Sequence, residues 1–150
     1  MTWYEDLSPC DWYGASAAKV LRAVGWLGEG RPFPTGDVDR EVYERLSTIP
    51  PFPFPLPVCA GVHVCEVCRF EGEAADNGEH IIPGNGVLFI APRMIRHYMN
   101  AHWYQPPQEF CRAVLECPGA ETMDYKRAVL DNGGRALIAA LKELQQAAEG

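Results

Sequence analysis

Basic residues are in short supply in this sequence. Its 150 residues carry 13 Lys and Arg against 20 Asp and Glu, a formal net charge of −7 with an isoelectric point near 5.0. A nucleic-acid-binding face is normally basic, and the densest basic set here is only Arg93, Arg96 and His97. The charge therefore disfavours a nucleic-acid partner and an anionic membrane surface. No apolar run reaches the ~18–20 residues that a bilayer requires, so no membrane partner is expected. Met1-Thr2-Trp3-Tyr4-Glu5-Asp6 has no basic start followed by an apolar stretch. That points away from a secretory leader and towards the cytoplasm, where thiols stay reduced. Internal repeats and charge blocks are missing too, and the length matches a single domain spanning 1–150.

What is present suffices for a core, because 47% of the residues are hydrophobic and a chain of this size buries about two-thirds of its unfolded surface. In residues 15–27, Leu21, Val24 and Leu27 share one stripe, which predicts a helix stopped by Gly28-Glu29-Gly30. Val38, Val42 and Leu46, spaced by four, predict a second helix over 37–48, with Asp37 as its cap. Five prolines in residues 50–57 exclude helix and central strand. They predict an extended strap laying Phe52, Phe54 and Leu56 against the domain, or else a docking peptide for a proline-binding partner. Val58 to Phe70 reads as a short strand entering a tight knuckle. Residues 79–90 read as a hairpin around Pro83-Gly84-Asn85-Gly86. Pro92 is expected to open a helix running to about His102. Further helices are expected over 107–115, 121–130 and 135–147, with a break at Asn132-Gly133-Gly134. The fold class expected is α+β: a zinc-stapled knuckle, hairpin and helix in treble-clef-like order, flanked by α-helices, with the metal-binding core at about 58–104.

Chemistry concentrates in six cysteines and four histidines. Reduced cysteines in a cytosolic chain are better explained as buried thiols and metal ligands than as disulfides. Cys65-x2-Cys68 offers two thiolates from one turn, and 28 residues later (69–96) His97-x4-His102 offers two imidazoles. Structural zinc takes four such ligands in a tetrahedron. The spacer exceeds the usual dozen or so residues of a finger, and a full hairpin with its loops accounts for the excess. On an ideal helix the two histidines point roughly 140° apart, so both reach one ion only if the helix ends near His102. Trp103-Tyr104-Gln105-Pro106-Pro107 favours such an end. The expected metal ligands are Cys65, Cys68, His97 and His102, with zinc as the cofactor. His63, two residues before Cys65, is a rival ligand, and Cys59 a weaker one. Cys10, Cys111 and Cys117 are expected to be plain buried thiols.

Four protein ligands close the coordination shell, which points to a structural ion and assigns no catalytic residue. His-Glu-x-x-His and the His-x-Glu with Pro-Cys-x-x-Cys of zinc deaminases are both absent. A redox Cys-x-x-Cys opens a helix after a strand, and the Val-rich flanks of Cys65 and Cys68 do not match that.

Gly61-Val62-His63-Val64-Cys65-Glu66-Val67-Cys68, Asn77-Gly78-Glu79, Ala91-Pro92, His97-Tyr98, His102 and Pro106-Pro107-Gln108-Glu109-Phe110 together resemble an uncharacterised bacterial family of small proteins, over about a third of the chain. The resemblance implies a bacterial cytosolic protein and carries no activity. Cys65-x2-Cys68 followed by Glu79-His80-Ile81-Ile82-Pro83 is also similar to HNH-type nucleases. That similarity implies His80 as general base, with Asn100 or His102 holding a metal near a phosphate. It departs from the HNH pattern in having Glu79 for Asp and no second Cys-x-x-Cys. The function expected is a zinc-binding protein-interaction module whose partner is another protein. Trp12, Tyr13, Trp103 and Tyr104 are contact candidates, unless they are core packing. An HNH-like metal-dependent nuclease and a nucleic-acid-binding zinc module on the Arg93 and Arg96 helix are the alternatives.

Overall fold

The computed structural model describes residues 3–49, 62–68, 75–119 and 121–149. The proline strap and Cys59 lie outside the described residues, as does the side chain of His63. In chain order the elements are β1 (Leu21–Ala23), α1 (Arg40–Thr48), β2 (Val62–Val64), β3 (Ala75–Asn77), β4 (Glu79–Pro83), β5 (Leu88–Pro92), α2 (Ile95–Ala101), α3 (Gln108–Glu116), α4 (Met123–Val129) and α5 (Arg135–Glu149). The class is mixed α+β, as expected. Among the described residues no helix is long and apolar enough to cross a membrane.

The predicted hairpin is the centre of the molecule. β4 and β5 pair antiparallel with Ile81 opposite Ile90, and the Gly84 N–H donates to the Val87 carbonyl at 2.8 Å to close the turn. Every residue of both strands is buried. A strand covered on both faces reads as a continuous apolar run rather than an alternation, which is the pattern of Ile81-Ile82 and Leu88-Phe89-Ile90. β1 adds to the free edge of β5 in parallel, with Leu21 opposite Leu88, giving the order β1-β5-β4. β2 and β3 form a separate antiparallel pair.

Residues 15–27 are therefore not a helix. Ala17–Lys19 is one 3-10 turn, and Leu21–Ala23 is a strand with Leu21 and Ala23 fully buried. A short apolar run fits either periodicity. Pairing with β5 decides it: the Leu88 N–H donates to the Val20 carbonyl and the Val24 N–H to the Ile90 carbonyl, each at 3.0 Å. Gly25 then turns the chain at φ +78°, and a Cβ there would lie 2.9 Å from Ile95 Cδ1. Glycine thus allows α2 to pack directly over the end of β1.

The helices cover this sheet. α1 is capped by Asp39, whose carboxylate accepts from the Glu41 N–H at 2.9 Å, so the helix starts after Asp39 rather than at the predicted Asp37. Its Val42 and Leu46 face the core, and it packs against α2 and α3. Arg45 from α1 donates to the carbonyls of Val114 (3.1 Å) and Cys117, satisfying the end of α3. α3 inserts Phe110, whose ring meets Phe89 edge-on at 5.8 Å. Tyr125 of α4 donates its hydroxyl to the Ile81 carbonyl at 2.6 Å. The expected break falls at Asn132 and Gly133, and the Asn132 side chain accepts from the Gly86 N–H at 2.7 Å, tying that kink to the hairpin turn. Pro92 closes β5 instead of opening α2, which begins at Ile95.

Candidate metal centre

α2 buries Ile95, Tyr98 and Met99. That stripe fixes the helix rotation and leaves His97 and Asn100 on the other side. The helix stops one residue before His102, whose φ of −122° and ψ of 9° lie off the helical values. Trp103 follows at φ +56°, and the N–H groups of His102 and Tyr104 both reach the Tyr98 carbonyl at 3.1 Å. Tyr104 is fully buried and donates its hydroxyl to Asp6 at 2.8 Å, while Trp103 Nε1 donates to Asp37 at 3.2 Å. These contacts hold the chain in the sharp exit. Two histidines that would diverge on a regular helix end with ring centroids 5.0 Å apart.

The other half of the site is the knuckle leaving β2. Cys65 is buried and Cys68 half-buried. The backbone N–H groups of Val67 and Cys68 act on the Cys65 sulfur in the direction that favours a thiolate. Cys65 Sγ lies 3.3 Å from His102 Nε2, and Cys68 Sγ lies 3.2 Å from His97 Nε2 and 3.4 Å from His102 Nε2. Zinc-type bonds of about 2.3 Å to sulfur and about 2.0–2.1 Å to nitrogen give a tetrahedral S···N edge of about 3.5 Å. The four ligand atoms all lie within 4.8 Å of one another. Cys65, Cys68, His97 and His102 are thus a set that can hold a metal ion.

The electrostatics of the set suit that use. Burial lowers the pKa of His97, helped by neighbouring His102, and burial alone lowers that of His102. Both imidazoles are held towards the neutral form that ligates metals. Burial, chiefly, raises the Cys65 thiol, with the Cys68 side chain adding and the two backbone N–H groups opposing. Metal binding at such a thiol releases a proton.

The remaining sequence-level candidates fall elsewhere. The described cysteines are all free thiols, including Cys65 and Cys68. Cys10 and Cys117 are buried, and burial pushes them to about 12 and about 11, as expected of inert thiols; Cys111 is half-buried. Tyr13 and Tyr104 are core residues and Trp12 is half-buried, whereas Trp103 is 57% exposed. Trp12 Nε1 (3.2 Å) and the Tyr13 hydroxyl both donate to the buried carboxylate of Glu79, a partnership 66 and 67 residues apart in sequence that no local pattern announces. Neighbouring His80 is 2% exposed. It lines a cavity of about 330 Å³ together with Arg93, Arg96, His97 and Asn100 from α2 and its approach, and with Tyr43 and Ser47 of α1. Sequence reasoning missed the α1 side of this cavity, since nothing in 37–48 beyond helical spacing marks it. His80 and Asn100 therefore share a cavity, while His102 sits with the cysteines.

No curated protein and no solved structure matches the chain. A family model described as a domain of unknown function, DUF7919, matches residues 2–115. The match takes in the five strands, α1, α2, almost all of α3 and all four Cys and His residues of the cluster, leaving α4 and α5 beyond it. With about three-quarters of its length inside that match, the chain belongs to the DUF7919 family.

Proposed function

We propose that Cys65, Cys68, His97 and His102 bind one zinc ion and that the ion is structural. The observation that carries this is the approach of two sulfurs and two imidazole nitrogens to within 4.8 Å of one another. Two thiolates and two imidazoles are a donor set that selects tetrahedral zinc. Four protein ligands leave no open position for a water, so the ion's role is to tie the knuckle to the end of α2. Binding energy at such a site is folding energy, and it offsets the ordering of the loops between residues 65 and 97.

On this reading the chain is a single zinc-stabilised domain of the cytoplasm that recognises another protein. The free state of the described thiols supports the location. The charge of −7 and the exposed Trp103 beside ligand His102 support a protein partner rather than a nucleic acid. Cobalt(II) loading tests the ion's geometry. Intense visible bands with thiolate-to-cobalt charge transfer, weakened in Cys65→Ser, are expected. A weak octahedral spectrum unchanged by that substitution would contradict the site.

A second reading, a metal-dependent nuclease, is supported by His80 and Asn100 lining one cavity. Incubation with supercoiled plasmid and magnesium or manganese tests it: cleavage lost in His80→Ala would carry the reading, and no cleavage, or cleavage that survives the substitution, would remove it.

A further inference from the structure

A cavity of about 410 Å³ opens between residues 3–6 and the loop that follows Leu27. Its walls are aromatic, and each ring is fixed by a contact behind it. Trp3 packs on Gly28, where a Cβ would lie 3.0 Å from Trp3 Cβ. The Tyr4 ring meets Trp26 edge-on at 5.2 Å, and its hydroxyl donates to Asp11 at 2.6 Å. Phe33 meets the buried ring of Tyr104 at 6.2 Å. Rings already in place lose little freedom when a ligand arrives.

Asp6 gives this apolar space a negative charge. Its carboxylate is half-buried and lines the cavity. Among the described residues it accepts only from neutral donors: the Tyr104 hydroxyl, 2.9 and 2.8 Å from its two oxygens, and the Gly25 N–H at 3.1 Å. A carboxylate has about four acceptor directions, so one hydroxyl proton and one N–H leave acceptor capacity over. Burial pushes the Asp6 carboxyl above its ordinary range, against those two donors, and a cation beside it relieves that cost. One cation is already seated here: the Arg31 guanidinium lies 4.3 Å over the Trp3 ring. Arg31 is exposed, and among the described residues its side chain makes no hydrogen bond or ion pair. An exposed cation–π contact on its own is weak, so Arg31 is a displaceable occupant of the Trp3 face.

We propose that this cavity binds a small primary ammonium ion carrying an apolar tail. The ammonium N–H groups donate to the Asp6 carboxylate, the charge sits among the aromatic rings in place of Arg31, and the tail lies against Leu27 and Phe33. The volume is within the range of small-ligand pockets, and the net charge of −7 draws cations rather than anions. The inference stands apart from the zinc reading, since none of these residues belongs to the Cys–His set.

The test is a titration of the full chain, at constant ionic strength, with phenethylammonium and with its neutral counterpart 2-phenylethanol, followed by amide and indole N–H chemical shifts. Saturable shifts at Trp3, Tyr4, Asp6 and Phe33 are expected for the amine, with the alcohol binding about tenfold more weakly. Asp6→Asn should weaken the amine by about tenfold and leave the alcohol unchanged. Arg31→Gln, at an exposed position where folding is not at stake, should tighten the amine by about threefold, because it removes the competing cation. That variant keeps the proposal open to refutation even if Asp6→Asn does not fold. A short lysine-containing peptide is expected to bind more weakly than the free amine. Zinc content measured on the same samples separates failure of this site from failure of the metal site. Absence of saturation, equal affinity for amine and alcohol, an Arg31→Gln variant that binds the amine no more tightly, or a lysine peptide that outcompetes the amine would overturn the proposal.

Discussion

Among the described residues lie two pairs of antiparallel strands, and they differ in their surroundings. β4 and β5 are buried along their whole length, clasped by β1, α3 and α4, and their order comes from apolar surface removed from water. β2 and β3 are three residues each and form their own pair. Val64 at the end of β2 is 37% exposed, and Cys65 beside it is buried. Next to the hairpin, packing suffices. At the knuckle, four ligand atoms from two distant segments converge instead. A metal bound by those four would supply a cross-link there.

Substitutions that act on one region and spare the other sharpen this contrast. The largest loss belongs to the packed region: Phe110→Ala should cost about 3–5 kcal/mol in urea unfolding while leaving metal stoichiometry unchanged. Cys65→Ser should show the reverse pattern. It should abolish stoichiometric metal and remove on the order of 3 kcal/mol of stability when free zinc is held about a hundredfold above the dissociation constant. Cys10→Ala, at an equally buried thiol outside the cluster, should cost only about 1 kcal/mol and keep the metal; equal effects at Cys10 and Cys65 would break the contrast. Of the same order, Tyr125→Phe leaves the Ile81 carbonyl without its 2.6 Å donor and should cost about 1 kcal/mol, again with full metal content.

The hairpin, the break at Asn132-Gly133 and the helices after residue 107 were legible in the sequence because turn chemistry and apolar spacing act locally. The Cys and His residues were legible for another reason. Metal coordination restricts residue types so severely that Cys-x-x-Cys followed by a histidine pair near a proline-terminated helix points to one site. The segment around Leu21 was not legible. Its spacing fits a helix, and the partner that makes it a strand lies 67 residues away at Leu88. The cavity on α2 was hidden for the same cause, since Tyr43, His80 and Arg96 meet only after α1 and the hairpin have packed.

The most direct measurement is the metal content of freshly purified protein by elemental mass spectrometry, for the native chain and for Cys65→Ser. A structural site at Cys65, Cys68, His97 and His102 predicts about one zinc per chain and none retained in the variant. No zinc in native protein kept from chelators, or equal zinc in both, would contradict it and leave Cys65 and Cys68 as ordinary thiols.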